Sequence, residues 1–171
     1  MPSASSVLLL ADAPEVIPTL AAWYKNEWPA WFAETPVEAI EADFHSAANR
    51  DCLPLAIVAF DVTGVPMGVC SVRAHPFEPY PYVSPWLRGL YVSAPFCGQG
   101  IAGVLIRAAA AHAARLEISK LYASTSSAIR TFERAGWLGF DQVRHDGETL
   151  TLFAKRTGEV AFRQVSGAKR T

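Results

Sequence analysis

Residues 86–116 read WLRGLYVSAPFCGQGIAGVLIRAAAAHAARL, and this stretch decides the fold. It predicts a short apolar strand, a turn with three glycines (Gly98, Gly100 and Gly103) and an alanine-rich helix from about residue 100 to 116. The first turn of a helix leaves backbone N–H groups without partners and carries roughly half a positive charge. Because glycines keep side chains away from these groups, the turn suits a phosphate. The stretch therefore predicts a site for the diphosphate of a cofactor.

The composition indicates a single globular domain. The chain has 171 residues, of which 51% are hydrophobic and 18% are charged, and its net charge is −1. A body without basic runs gives no electrostatic support for nucleic-acid binding, and no apolar run approaches the roughly 20 residues of a membrane span. The start lacks the pattern of a signal peptide, and three widely spaced cysteines indicate neither a disulfide framework nor a metal site. We expect a cytoplasmic protein without a metal, a membrane span or a nucleic-acid partner.

Outside this stretch, the spacing of apolar residues predicts a mixed α/β sheet, antiparallel early and parallel around the glycine turn. The predicted strands cover residues 7–11, 53–60, 66–73, 86–92, 121–123, 141–144 and 149–155. The predicted helices cover residues 17–28, 35–48, 100–116 and 126–135. Pro29 is expected to stop the first helix, and Thr35 with Glu38 forms a capping-box pattern for the second. A strand-like piece at 160–165 either extends the sheet or reaches a partner subunit.

Taken literally, the glycine turn spells GxGxxG, the dinucleotide fingerprint. That fingerprint belongs to the first strand–helix unit of its fold, whereas this turn lies past the middle of the chain. It also requires an acidic residue at the end of the next strand, and residues 121–125 (LYAST) hold no carboxylate. A Rossmann-type NAD(P) oxidoreductase is therefore the third of three interpretations.

The same turn resembles the acyl-CoA signature of the GNAT superfamily of N-acetyltransferases. Residues 90–102 (LYVSAPFCGQGIA) match a strand that ends in Val, a proline-containing loop and the pattern [Q/R]-x-x-G-x-[G/A] at a helix start. Cys97, Gly100 and Ala102 occupy its three key positions. A second block, residues 128–137 (AIRTFERAGW), is similar to the superfamily's A-x-x-x-Y-x-[K/R]-x-G-F segment. The blocks occur in the expected order and spacing, and the resemblance covers about residues 5–156.

The resemblance implies the GNAT fold, a central, mostly antiparallel twisted sheet that is splayed between strands four and five and flanked by about four helices. It implies one acyltransferase domain at 1–156, with an extension at 157–171 that would supply an extra strand or a homodimer contact. It also implies that the pantetheine arm of coenzyme A pairs with strand four like an extra strand. The residues expected to bind acetyl-CoA are Leu90, Tyr91, Val92, Cys97, Gly98, Gln99, Gly100, Ile101, Ala102, Gly103, Thr125 and Phe132.

The implied activity is transfer of an acetyl group from acetyl-CoA to a primary amine of a small molecule or peptide, by direct attack. Three positions depart from the superfamily's pattern. Cys97 replaces the usual Arg or Gln, Phe132 replaces the Tyr that acts as general acid, and Trp86 replaces the Glu that acts as base. No catalytic side chain is therefore assigned.

The side chains expected around the acceptor amine are Glu27, Trp28, Tyr82 and Trp86. Glu27, His75 and Glu78 are candidate bases. Glu27 ends the first predicted helix, and the resemblance implies that the loop after it borders the acceptor groove. His75 and Glu78 lie in the proline-rich loop at 74–85. Because the usual acid and base are replaced, a catalytically weak acyl-CoA-binding sensor or structural protein is the second interpretation.

Overall fold

The structure, a computed structural model, describes residues 6–158. Its strands are β1 (Ser6–Leu9), β2 (Leu55–Phe60), β3 (Pro66–Arg73), β4 (Trp86–Val92), β5 (Lys120–Thr125), β6 (Leu138–His145) and β7 (Glu148–Arg156). They form one seven-stranded sheet with the order β1-β2-β3-β4-β5-β7-β6. Neighbouring strands run antiparallel except β4 and β5, which are parallel.

Helices cover the two faces of this sheet. They are α1 (Ile17–Glu27), α2 (Pro29–Phe32), α3 (Val37–Ser46), α4 (Ile101–Arg115) and α5 (Ile129–Arg134). α1 and α3 share a core with Val58 and Val69 on one face, and α4 shares a core with Ile57 and Cys70 on the other. Successive residues of a strand point to opposite faces, so β2 is covered on both sides. All six of its residues are buried, which explains why LAIVAF is apolar throughout instead of alternating.

This architecture confirms the predicted fold class, a mixed and mostly antiparallel sheet with one parallel pair beside the glycine turn. A Rossmann sheet is mostly parallel, and the Rossmann interpretation is therefore wrong. Within residues 6–158, no helix is long and apolar enough to cross a bilayer. The predicted strand at 160–165 lies outside the described residues, as does most of the extension 157–171, so the domain division stays a prediction.

The predicted separation of strands four and five is visible in the pairing of β4 with β5. Only Trp86↔Tyr122 and Leu87↔Ala123 are paired, although β4 continues for five more residues. β5 instead pairs along its whole length with β7. The β5-facing edge of residues 88–92 is therefore left without a neighbouring strand in the described part of the chain. The sheet opens there, directly before the glycine turn.

Several element boundaries differ from the predicted ones, each for a local reason. α1 ends at Glu27, but Pro29 begins the short helix α2 instead of opening a loop, since proline is well suited to a first helical position. The second predicted helix, α3, begins at Val37 with Pro36 before it, and no side chain caps it, so the expected capping box does not form. β6 is longer than predicted because its hairpin with β7 extends the pairing to Leu138.

Candidate functional site

A groove of about 410 Å³ opens where β4 ends and α4 begins. It lies beside the glycine turn and is closed on its far side by α5. Its lining combines the end of β4, the turn, the first two turns of α4 and one face of α5. The lining residues are Val92, Phe96, Cys97, Gly98, Gly100, Ile101, Ala102, Gly103, Arg107, Thr131 and Arg134.

The backbone of the turn gives the groove its character. Gly98 and Gly100 adopt φ values of +75° and +80°, which L-residues with side chains rarely adopt. A Cβ at either glycine would meet no heavy atom within 4 Å, so both face open space. Within the described structure, no acceptor is found for the backbone N–H groups of residues 98–103. The turn therefore presents free donors at the positive end of a 15-residue helix, and its use as an anion site stays a prediction.

Two arginines that were not predicted from the sequence add positive charge to the groove. Arg107 lies one helical turn after Gly103, and a Cβ at Gly103 would lie 3.1 Å from its Nη1 atom. Arg134 comes from α5, across the groove. Neither forms an ion pair with a carboxylate among residues 6–158. The four-residue spacing from Gly103 to Arg107, which puts both on one helix face, is the signal that could have found the first of them.

The side chains of the remaining residues predicted to bind the cofactor lie outside the groove lining. Leu90 packs on the α4 side of the sheet, and Tyr91 packs on the α1 side. Gln99 turns back, its Nε2 donating to the Pro95 carbonyl at 3.3 Å, and its buried Oε1 has no partner. The structure does not place these three side chains in the lining.

Thr125 and Phe132 have structural roles around α5. The Thr125 hydroxyl accepts hydrogen bonds from the N–H groups of Ser127 and Ala128, at 3.2 and 2.9 Å, and so orders the turn that leads into α5. Phe132 is buried and stacks on Phe153 with ring centroids 5.3 Å apart. Its ring belongs to the core, and its neighbour Thr131 faces the groove instead.

A bulge in β4 sits where the sheet opens. Val69 pairs with Tyr91 and Ser71 pairs with Arg88, so an advance of two residues along β3 corresponds to three residues along β4. Gly89, at φ +62°, takes up the difference, and the Tyr24 hydroxyl donates to its carbonyl at 2.5 Å. A Cβ at Gly89 would lie 2.1 Å from that hydroxyl oxygen, so no other residue fits without movement. Burial raises the pKa of Tyr24, and this phenol stays a donor.

On the α1 side of β4, an aromatic wall surrounds Tyr91. The rings of Trp23 and Trp28 lie 5.3 and 6.1 Å from that of Tyr91. Partial burial raises the pKa of Tyr91, and the carboxylate of Glu27 raises it further. Glu27 and Trp28, which the sequence predicted for the acceptor pocket, are therefore brought together beside a predicted cofactor residue. Trp23 was missed because its position on α1 fits a packing role equally well.

The other residues predicted around the acceptor are not brought together. Tyr82 is 98% exposed in the proline-rich loop, and the candidate bases His75 and Glu78 are exposed there too. Trp86 is 1% exposed and packs between Phe77 and Tyr122, so its indole belongs to the core. In the described part of the chain, no group of three or more His, Cys, Asp or Glu side chains could hold a metal ion.

Cys97 stands where an Arg or Gln is usual, and its thiol points back toward the end of β4. It is exposed, and its Sγ lies 3.6 and 3.7 Å from the carbonyl oxygens of Val92 and Ser93. The side chain thus closes the turn locally, while the neighbouring backbone faces the groove.

Comparison with known proteins places this site in context. The family model for the acetyltransferase (GNAT) family matches residues 17–137. No curated protein matches the sequence significantly.

Solved structures share the fold at low sequence identity. A protein of Bordetella pertussis assigned to the GnaT acetyltransferase family has a TM-score of 0.72 at 17% identity, over 90% of this chain and 97% of that one. A Salmonella typhimurium protein assigned as an acetyltransferase and solved with acetyl-CoA has a TM-score of 0.72 at 18% identity, over 93% and 97%. A chimera of the spermidine N-acetyltransferase SpeG of Vibrio cholerae has a TM-score of 0.66 at 15% identity, over 91% and 96%. The matched family model covers well over half of the chain, and this protein therefore belongs to the GNAT acetyltransferase family.

Proposed function

We propose that this protein transfers an acetyl group from acetyl-CoA to a primary amine of a small molecule or peptide. The observation that carries the proposal is the continuity between two features. The groove with its free N–H donors lies at one end of β4, and the unpaired edge of residues 88–92 leads directly into it. A long donor with an anionic head and an amide-rich arm fits this combination better than a compact ligand does.

The chain's own groups suit each part of such a donor. The N–H groups of residues 98–103 would hold the diphosphate, and Arg107 and Arg134 would add charge-assisted contacts to its phosphates. The open edge of β4 offers main-chain donors and acceptors to the amides of the arm, in the manner of an added strand. Cys97 lacks the long polar side chain of the usual Arg or Gln, and Arg107 and Arg134 would supply side-chain contacts to the phosphates in its place.

Acetyl-CoA supplies an activated acetyl thioester when bound. A backbone N–H of β4 beside the Gly89 bulge would polarise the thioester carbonyl and stabilise the oxyanion that develops on it. The arm enters between β4 and β5, so its reactive end would face the α1 side, which we call the acceptor side. There the aromatic wall of Trp23, Trp28 and Tyr91 would orient the amine, and Glu27, directly or through water, would accept its proton.

A neighbour in fold is named for spermidine, which supports a small amine as acceptor. The buried positions of Phe132 and Trp86 favour a second candidate, a protein that binds acyl-CoA with little turnover. Release of free thiol from acetyl-CoA in the presence of an amine panel separates the two, since binding without release would favour the second. A cytoplasmic location, dimerisation and the lack of a metal stay predictions.

The test of the proposal is calorimetric titration with acetyl-CoA, using Gly100→Glu and a matched control. Gly100→Glu adds a carboxylate at the phosphate site and should weaken acetyl-CoA binding at least about 100-fold. Gly64→Glu is the control, because Gly64 has a similar φ of +84° and equally open surroundings in the β2–β3 turn. It carries the same backbone strain and should bind like the wild type. Folded wild-type protein without micromolar affinity would refute the proposal, as would an equal loss in both variants.

A further inference from the structure

Arg88 lies on the acceptor side of β4. Its partner across the ladder is Ser71, and opposite residues of an antiparallel pair point to the same face. Ser71 shares that face with Val69, which packs in the core of α1 and α3. Arg88 is also the first residue of β4 beyond the last pair with β5. The side chain is therefore placed at the mouth of the gap, on the side where the acceptor would enter.

The guanidinium of Arg88 has no counter-charge in the described structure. No carboxylate among residues 6–158 forms an ion pair with it, and no side-chain or backbone acceptor receives its hydrogen bonds. The contrast is with Arg73, two residues along β3 from Ser71. Arg73 donates to both carboxylate oxygens of Asp43, at 3.0 and 2.7 Å, and its Nε donates to Ser71. The carboxylate of Asp43 is therefore already paired with Arg73.

The position is an unusual one for a cation without a partner. Arg88 is half-buried on a central strand, whereas arginines in such places are normally paired. Burial lowers the pKa of Arg88, and the nearby cation of Arg73 lowers it further. Both effects disfavour the charged form that arginine nevertheless keeps. An anion that binds from solvent would offset both unfavourable effects on the charged guanidinium. A carboxylate suits this role, because a guanidinium binds it through two parallel hydrogen bonds.

We propose that the acceptor is an amine that also carries a carboxylate, as an amino acid does, and that Arg88 binds this carboxylate. The inference rests on the proposed function and adds the substrate class. Glu27, on the same side and near Tyr91, supplies the opposite charge for the ammonium group before it loses its proton. A polyamine, by contrast, would bring only positive charge to a half-buried cation.

The experiment compares each amino acid with its decarboxylated amine as acceptor. Suitable pairs are phenylalanine with 2-phenylethylamine, methionine with 3-(methylthio)propylamine, and lysine with 1,5-diaminopentane. Initial rates of thiol release are measured at saturating acetyl-CoA, and acceptor binding to the coenzyme A complex is measured by calorimetry. We expect at least one amino acid to exceed its decarboxylated partner by about tenfold or more in both measurements.

Variants then test the role of Arg88. Arg88→Gln should reduce the preference for the amino acid over its amine to within about threefold. Arg88→Lys keeps the charge but not the paired N–H donors of the guanidinium, and it should retain part of the preference. Arg144→Gln is the matched control, since Arg144 is an exposed arginine of the β6–β7 hairpin. It should keep the full preference.

Three results would overturn the inference while leaving the proposed function intact. In the first, the protein binds acetyl-CoA, and every decarboxylated amine is preferred over its amino acid. In the second, an amino acid is preferred, but Arg88→Gln does not change this preference. In the third, no amino acid binds to the coenzyme A complex. Failure to bind acetyl-CoA at all would be seen first, in the titration itself, and would refute the proposed function instead.

Discussion

The two sides of β4 differ in whether backbone or side-chain groups form their surface. On the α4 side, the groove is formed by contiguous backbone, and its N–H groups at residues 98–103 need no particular side chain. On the acceptor side, the surface is formed by side chains from α1, β3 and β4, and its character depends on which residues these are. The first side would therefore bind the proposed donor through its backbone, while the second would bind the acceptor through its particular side chains.

The difference explains why a short stretch of sequence can predict one side only. Glycine spacing determines where backbone donors are free, so an anion site at residues 97–103 can be predicted from their local pattern alone. The acceptor side is assembled from residues more than 60 positions apart, such as Trp23 and Tyr91. No local pattern marks such a pair, because an amphipathic helix and a strand each have ordinary packing reasons for an aromatic residue.

The bulge at Gly89 belongs to both sides, and substituting it should have the largest effect. Gly89→Ala forces a side chain into a left-handed conformation and places Cβ 2.1 Å from the Tyr24 hydroxyl oxygen. Strain and overlap together should lower the free energy of unfolding by about 2–4 kcal/mol. The matched control is Gly64→Ala, at φ +84° and in open space, which should lose only about 1 kcal/mol.

Urea unfolding measures both losses. A further variant separates their causes: adding Tyr24→Phe to Gly89→Ala removes the closest atom and should restore part of the stability. Equal losses at Gly89 and Gly64, with no such rescue, would mean that the close approach of Tyr24 to β4 is not important for folding.

The groove arginines should affect the donor alone, which is the sharpest test of the comparison. Replacing both Arg107 and Arg134 by Gln removes two charge-assisted contacts to phosphate and should weaken acetyl-CoA binding by about 10- to 100-fold. The affinity of the variant should also depend less steeply on salt, since fewer charges are paired on binding. Calorimetry at two salt concentrations measures both effects.

The acceptor provides the control for this pair of substitutions. At saturating acetyl-CoA, KM for the amine should stay within about twofold of the wild-type value, because neither arginine lies on the acceptor side. A parallel rise in KM for the amine would show that the two sides of β4 do not act separately.

The sequence predicted the fold well because apolar periodicity is strong in this chain. It placed every strand of the sheet except for the exact ends, and the expected gap between strands four and five is present. The structure differs from it where local pattern does not decide: Pro29 begins a helix, the Thr125 hydroxyl orders the turn before α5, and Phe132 is buried against Phe153. Arg134 was missed for the same reason, since only the packing of α5 beside α4 brings it to the groove.

The smallest predicted effect concerns the hydrogen bond from Tyr24 to Gly89. Tyr24→Phe should lower the free energy of unfolding by about 1 kcal/mol at pH 7, since one buried hydrogen bond is lost and the carbonyl of Gly89 loses a partner.

Burial raises the pKa of Tyr24, so above about pH 10 the unfolded wild type releases this proton and the folded protein keeps it. The wild type therefore loses stability there, by up to about 1.4 kcal/mol per pH unit. Phenylalanine cannot titrate, and the difference between the two proteins should shrink toward zero near pH 11. A difference that stays constant from pH 7 to pH 11 in urea unfolding would contradict the buried, donating phenol that fixes the bulge between the two sides of β4.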